Sequence, residues 1–219
     1  SDSQYAGKTG TVSVSVADDD TKGLAITDYT DKTVAETGGT DTTTFKVALT
    51  SEPTGTVTVT LSSGDSTEVS VSSALTFTTS NWATPQTVTI TGVNDDEVDG
   101  DQTTTITVTG SGGDYAGVSK TETVTTVDDD TAGMTLSTSE LTVTEASGTG
   151  HTGTFTVILD SKPDSNVVIA VSTSNAETSV SPTSLTFNAS NWNTAQTVTV
   201  TGVNDAVDDG DKTTTVTLT

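Results

Sequence analysis

The acidic residues are the ones that could do chemistry. Among 219 residues there are 30 acids against 7 bases, a formal net charge of −23, and the acids are clustered. One cluster is a triple aspartate, Asp18, Asp19 and Asp20, which recurs 110 residues later as Asp128, Asp129 and Asp130. The other is the stretch "NDDEVDGD", with Asn94, Asp95, Asp96, Glu97, Asp99 and Asp101, whose copy "NDAVDDGD" carries Asn204, Asp205, Asp208, Asp209 and Asp211. Carboxylates crowded at one place repel one another, and a hard cation relieves the repulsion. Calcium accepts about six to eight oxygens at ~2.3–2.6 Å in irregular geometry, whereas magnesium holds its waters and demands an octahedron. Zinc prefers nitrogen and sulfur, and this chain has no cysteine and only His151. Solvated turns are the alternative, because Asp, Asn and Gly favour turns unaided. Recurrence of both clusters at matching positions favours calcium.

The same charge excludes several partners. Such a chain repels nucleic-acid phosphate and anionic lipid, so neither nucleic-acid binding nor membrane insertion is expected. No apolar run approaches membrane-spanning length, and any secretion signal or anchor is expected outside this stretch. Without cysteine no disulfide can staple the fold; outside a cell, calcium could supply the cross-links. Paired carboxylates can hydrolyse glycosides, but these lie in repeated turns that imply no pocket, and His151 sits in the loop-like "SGTGHTGTF", so no enzyme is expected. A glycan- or receptor-binding adhesin module is the other open reading. It needs exposed aromatics, but Tyr5 and Tyr115 share the same "YAG" hairpin, which suggests a structural role. Trp82 and Trp192 each follow "SN" just before an apolar strand and are expected to plug one end of a core rather than to stack on sugar.

The elements that must position the acids are strands. About a quarter of the chain is threonine, β-branched like valine and suited to a pleated surface. No window shows a helical apolar stripe. Alternation marks "TFKVALT", "TVTVTL", "EVSVS", "ALTFT", "QTVTITG", "TTTITVT" and "KTETVTTV", with the short "GLAI" and "KTVAE" before them. The chain also repeats itself at a period of 110 residues: Thr79–Thr109 aligns with Ala189–Thr219, Phe45 with Phe155 and Pro53 with Pro163, while Val34–Glu36 aligns with Val143–Glu145 one residue out of phase. That period suits one sandwich domain. An all-β protein of tandem Ig-like Greek-key sandwiches is expected, with seven or more strands each and the acidic turns gathered at one pole. Residues 1–20 read as the last strand of a preceding repeat, 21–130 as a complete repeat, and 131–219 as a second repeat lacking its last strand.

The early "V-x-E", the acidic turn and the strand ending in "VDDDT" together resemble Calx-beta domains, over both repeats. The resemblance implies Ig-like sandwiches that bind calcium at one pole. It implies ligands at Glu36, Asp65, Asp95, Asp96, Asp99, Asp101 and Asp128–Asp130, and in the second repeat at Glu145, Asp205, Asp209 and Asp211. Asp65 stands in "SGDS", without the family's tyrosine, and its copy is Asn175. The run "NW…QTVTVTGV" is similar to repeat arrays of large bacterial adhesins and secreted surface proteins, which implies an extracellular or cell-surface setting. In that setting Asp18, Asp19 and Asp20 would serve a junction with an adjacent unit. Joining the end of the chain to its start gives "TLTSDSQYAG", one residue shorter than the hairpin "TVTGSGGDYAG" and ending in the same "YAG". Either the stretch is cut from a long covalent array, or copies polymerise head to tail, each lending its first strand to its neighbour.

Overall fold

The structure is a computed structural model. It describes residues 2–29, 32–37, 41–146 and 148–219; residues 1, 30, 31, 38–40 and 147 lie outside it, and with them the first residue of the expected N-terminal strand. Among the described residues there is no helix. The first nine strands are β1 (Leu24–Thr27), β2 (Thr33–Ala35), β3 (Thr42–Leu49), β4 (Val57–Ser63), β5 (Val69–Val71), β6 (Leu75–Phe77), β7 (Gln86–Gly92), β8 (Gln102–Ser111) and β9 (Ser119–Val127). They form one sheet in the order β1-β3-β7-β5 and a second in the order β2-β9-β8-β4-β6.

Alternation sets which residues meet between the sheets. Phe45, Val47, Val57, Val59, Phe77, Val88, Ile90, Ile106, Val108 and Val124 form the buried core, with the intervening threonines turned outward. Each such apolar side chain contributes ~1.5–3 kcal/mol on burial, which is how a threonine-rich chain holds together. Trp82 packs against this core, as expected of an end plug. Tyr115 is fully buried, and its hydroxyl donates to the Ser51 carbonyl at 2.8 Å and accepts from the Ser51 N–H at 3.1 Å.

The remaining strands are β10 (Met134–Leu136), β11 (Thr152–Leu159), β12 (Val167–Thr173), β13 (Thr178–Ser181), β14 (Ser184–Phe187), β15 (Gln196–Gly202) and β16 (Val216–Leu218). One sheet, β10-β11-β15-β13, matches its counterpart in the first unit, but the other holds only β14-β12-β16. A second core of Phe155, Val157, Ile169, Val171, Phe187, Val198 and Val200 lies between them, with Trp192 against it. The fold is that of Ig-like β-sandwiches. The second sandwich differs at one side: residues 141–145 form no strand, β16 has three residues where β8 has ten, and a cleft of about 940 Å³ opens between them.

Residues 2–23 also depart from the strand expected at the start of the chain. They form no strand, and residues 2–20 are exposed throughout. The reason is physical. An extended segment is held by a ladder of hydrogen bonds to a neighbour, and a strand without one is not stable in water. The bonding β9 receives from β2 and β8 is absent for this segment.

Candidate metal centre

Three segments of the first sandwich converge at one pole. β2 runs parallel to β9, and the Glu36 N–H donates to the Val127 carbonyl, so the end of β2 sits beside the residues that follow β9. The acidic turn between β7 and β8 covers them. Gly92, at the end of β7, makes this approach possible: a Cβ there would lie 2.1 Å from the Ala35 carbonyl oxygen. The loop geometry is fixed by the acids' own hydrogen bonds. Asp128 accepts from the Gly100 N–H at 2.8 Å and from the Asp130 N–H at 2.8 Å, Asp101 accepts from the Asp128 N–H, and Asp95 accepts from the Glu97 N–H.

At the centre, one carboxylate oxygen each from Glu36, Asp128 and Asp130 lie within 4.8 Å of one another. Glu36 is 1% exposed. Its Oε2, the Oδ2 of Asp130 and the Oε2 of Glu68 are buried without a hydrogen-bond partner. Burial, with the charges of Asp95, Glu68, Asp128 and Asp99, pushes the Glu36 carboxyl up to about 7. Glu68 is raised by burial and by Asp99, Asp95 and Asp65; Asp99 by burial, Asp95 and Asp128; and Asp130 by burial and by Asp129, Asp96, Asp128 and Asp95. All four shifts point the same way: negative charge is concentrated around the buried Glu36 and Glu68 carboxylates. An unpaired buried acceptor is costly, and an all-oxygen donor set of carboxylates suits a hard cation such as calcium.

The structure brings Glu36, Asp95, Asp96, Asp99, Asp128, Asp129 and Asp130 into one electrostatic cluster. It turns Asp65 to another task, accepting from the N–H and hydroxyl of Thr67, which holds its carboxyl below the usual range. Glu68, the turn residue just before β5, faces the cluster instead, and reading the sequence alone misses it. It lies in "STEVS", and its copy Glu177 falls near the same 110-residue offset, one residue out of phase. That recurrence is the signal that could have found it. Asp101 holds the backbone beside the site.

The second sandwich assembles less. Glu145 is raised by burial and by Asp205, Asp209 and Glu177, so these four share one field. Asp209 is paired with Lys212 at 3.4 Å, where the first sandwich has Gln102. Asp211 is exposed. The counterparts of Asp128–Asp130 are Asp18, Asp19 and Asp20, which lie close to one another but fully exposed on the N-terminal segment.

The first site stands at the seam between the sandwiches. Asp130 is followed by three residues before β10 begins at Met134. From the other side Lys162 reaches back: its N–H donates to the Asp96 carbonyl at 2.7 Å and its ammonium pairs with Glu97 at 2.5 Å. One acidic turn therefore lines the buried carboxylates and grips the second sandwich.

No protein-family model and no curated protein matches the chain. Several solved structures are similar to the chain at low identity. CBD12 from CALX1.2 is 17% identical with a TM-score of 0.38, over 90% of this chain and 79% of that one. The calcium binding domain CBD12 of CALX1.1 is 20% identical with a TM-score of 0.38, over 80% of this chain and 72% of that one. The D0-D1 domain of intimin is 17% identical with a TM-score of 0.32, over 80% of this chain and 83% of that one.

Proposed function

We propose that this chain is a structural, calcium-stiffened repeat of an extracellular fibre or stalk, of the kind found in bacterial surface filaments and adhesin arrays. Units follow one another head to tail, the second sandwich of each being completed by the N-terminal segment of an adjacent unit. The observation that carries this reading is the position of the unpartnered Glu36, Glu68 and Asp130 oxygens in a cluster at the seam. A bound calcium ion would supply positive charge and coordination to these oxygens. Glu36 fixes the end of β2, Asp128 and Asp130 fix the segment leading into the second sandwich, and the turn at Asp95–Asp99 joins both through Lys162. Holding these groups together restrains the angle between sandwiches. Leaving them as bare carboxylates pushes the turn and the linker apart. The exposed threonines suit an aqueous exterior. Among the described residues, no helix is long and apolar enough to cross a membrane.

Small-angle X-ray scattering of the metal-stripped chain, with and without calcium, tests the stiffening. A larger maximum dimension and a sharper interdomain peak are expected on adding calcium. Superimposable profiles would contradict it.

A further inference from the structure

Residues 2–17 are exposed and form no strand, yet the turn around Tyr5 already has the shape of the turn around the buried Tyr115 of the first sandwich. Around Tyr115 the hairpin before β9 is closed by two bonds, Tyr115 N–H to the Gly112 carbonyl and Val118 N–H to the Tyr115 carbonyl, both 3.1 Å. At the same offset the N-terminal segment makes Tyr5 N–H to Asp2 carbonyl and Lys8 N–H to Tyr5 carbonyl, both 3.2 Å. Gly7 has φ 78° where Gly117 has φ 81°. The turn forms with no sandwich around it, so it is encoded locally.

Beyond this turn the segment is apolar on one face only. Val12, Val14 and Val16 are 88%, 79% and 89% exposed. Their counterparts in β9 are Glu122, Val124 and Thr126, of which the last two are fully buried. The second sandwich has the matching opening. Its cleft is lined by Leu141, Val143, Phe155, Val200, Val216 and Leu218, and among the described residues no segment of the chain fills it. Ser161, the counterpart of the Ser51 that binds the Tyr115 hydroxyl, is buried as Ser51 is.

The segment cannot fill the cleft of its own chain. Gly23 is bonded to Thr50 at the pole of the first sandwich opposite the acidic turn, because Leu24 pairs with Leu49 while Thr42 pairs with Thr91. By analogy with Gln102↔Thr126, Val16 belongs beside Lys212, at the distal pole of the second sandwich. The sandwiches meet pole to pole through Lys162 and Asp96, so two sandwich lengths separate these points. A strand the length of β3 spans ~26 Å, and the six residues from Ala17 to Lys22 reach at most ~20 Å.

Building on the head-to-tail reading above, we infer that the cleft of the second sandwich is the docking site for the Tyr5–Ala17 segment of a second copy of this chain. Its register is that of β9: Thr11 opposite Thr217 on β16, as Thr121 is opposite Thr107, and Val16 beside Val143, as Thr126 is beside Val34. Tyr5 of the incoming copy meets Ser161, and its valines close the core. The same register carries the incoming Asp18 and Asp20 to Glu145, Asp205 and Asp209. In this register the incoming aspartates complete the second acidic site.

Cysteine scanning tests this in the 219-residue chain, which has no cysteine of its own. Directly opposed residues on antiparallel strands lie within disulfide range. After mild oxidation, a Thr11→Cys, Thr217→Cys double variant is expected to give a ladder of covalent oligomers on a denaturing gel. A Ser13→Cys, Thr217→Cys double, displaced by two residues, is expected to give at least fivefold less. Adding Val14→Asp to the first pair is expected to remove the ladder while circular dichroism shows the sandwiches still folded. An intramolecular cross-link in the monomer, no cross-link, or equal ladders from both pairs would overturn the proposal. The pattern is read in calcium and in chelator. A register-specific ladder without any effect of calcium would leave the docking intact and count only against the cation, so the two ideas fail separately.

Discussion

Replacing Glu36 by Gln is expected to stabilise the metal-free first sandwich at pH 8 and to abolish most of the stabilisation that calcium brings. The two effects have opposite signs, and both arise from one buried carboxylate. Glu36 is 1% exposed, its Oε2 has no partner, and its carboxyl is pushed up to about 7. Holding it ionised at pH 8 therefore costs about 3 kcal/mol relative to water. Glutamine has the same shape without the charge, and its amide can donate to the Asp128 or Asp130 carboxylate. The gain should be about 2–3 kcal/mol, which for a domain of this size raises Tm by roughly 10 °C. Wild type should gain about 2.7 kcal/mol from calcium at a hundredfold excess over Kd, and the variant should gain a small fraction of that. Were the acids only solvated turns, the substitution would change stability by less than about 0.5 kcal/mol in either condition. Trp82 and Trp192 report on separate cores, so thermal melts of single-tryptophan variants assign each transition to its sandwich.

The second large effect is a reversal of pH dependence. For Glu36 the folded-state value, about 7, lies above the ordinary value of 4.5. The folded state thus binds the proton more tightly than the unfolded state does. Its stabilising contribution is fully present below about pH 4.5 and is lost as pH rises through about 7, a fall of about 3 kcal/mol from this one group. Glu68, Asp99 and Asp130 are raised too and act in the same direction. Metal-stripped protein should therefore melt at a lower temperature at pH 8 than at pH 5. With saturating calcium the trend should invert, because ion and proton compete for the same oxygens and binding strengthens as the carboxylates ionise. Parallel Tm–pH curves with and without calcium would refute the shared site.

Much of the fold is legible in the sequence because alternation is a local signal: the nine segments marked by it coincide with the first nine strands. The convergence of Glu36 with Asp128 and Asp130 is legible too, since the repeat shows which acids recur. Other features are hidden for identifiable reasons. Glu68 lies in the turn just before a strand, where an acid looks like an ordinary solvent-facing residue, and only its copy Glu177 marks it. Asp65 is drawn away by Thr67, two residues on, a side-chain preference that the acidic pattern does not register. The Lys162–Glu97 pair cannot be read from the repeat at all. Its counterparts are Glu52 and Val207, so the contact exists at one seam and has no copy to reveal it. The N-terminal segment shows the converse: strand-like alternation does not make a strand until something offers a hydrogen-bonded edge.

The most direct test is calcium binding by titration calorimetry on metal-stripped protein, comparing wild type with two double variants that each remove two charges. One is Glu36→Gln with Asp130→Asn at the seam. The other is Glu52→Gln with Asp164→Asn, both exposed and outside the cluster. The expected result is saturable binding in wild type that survives in the exposed-site variant and falls at least tenfold in affinity, or disappears, in the seam variant. Equal binding by both variants, or none by wild type, would show that no cation is held between the sandwiches.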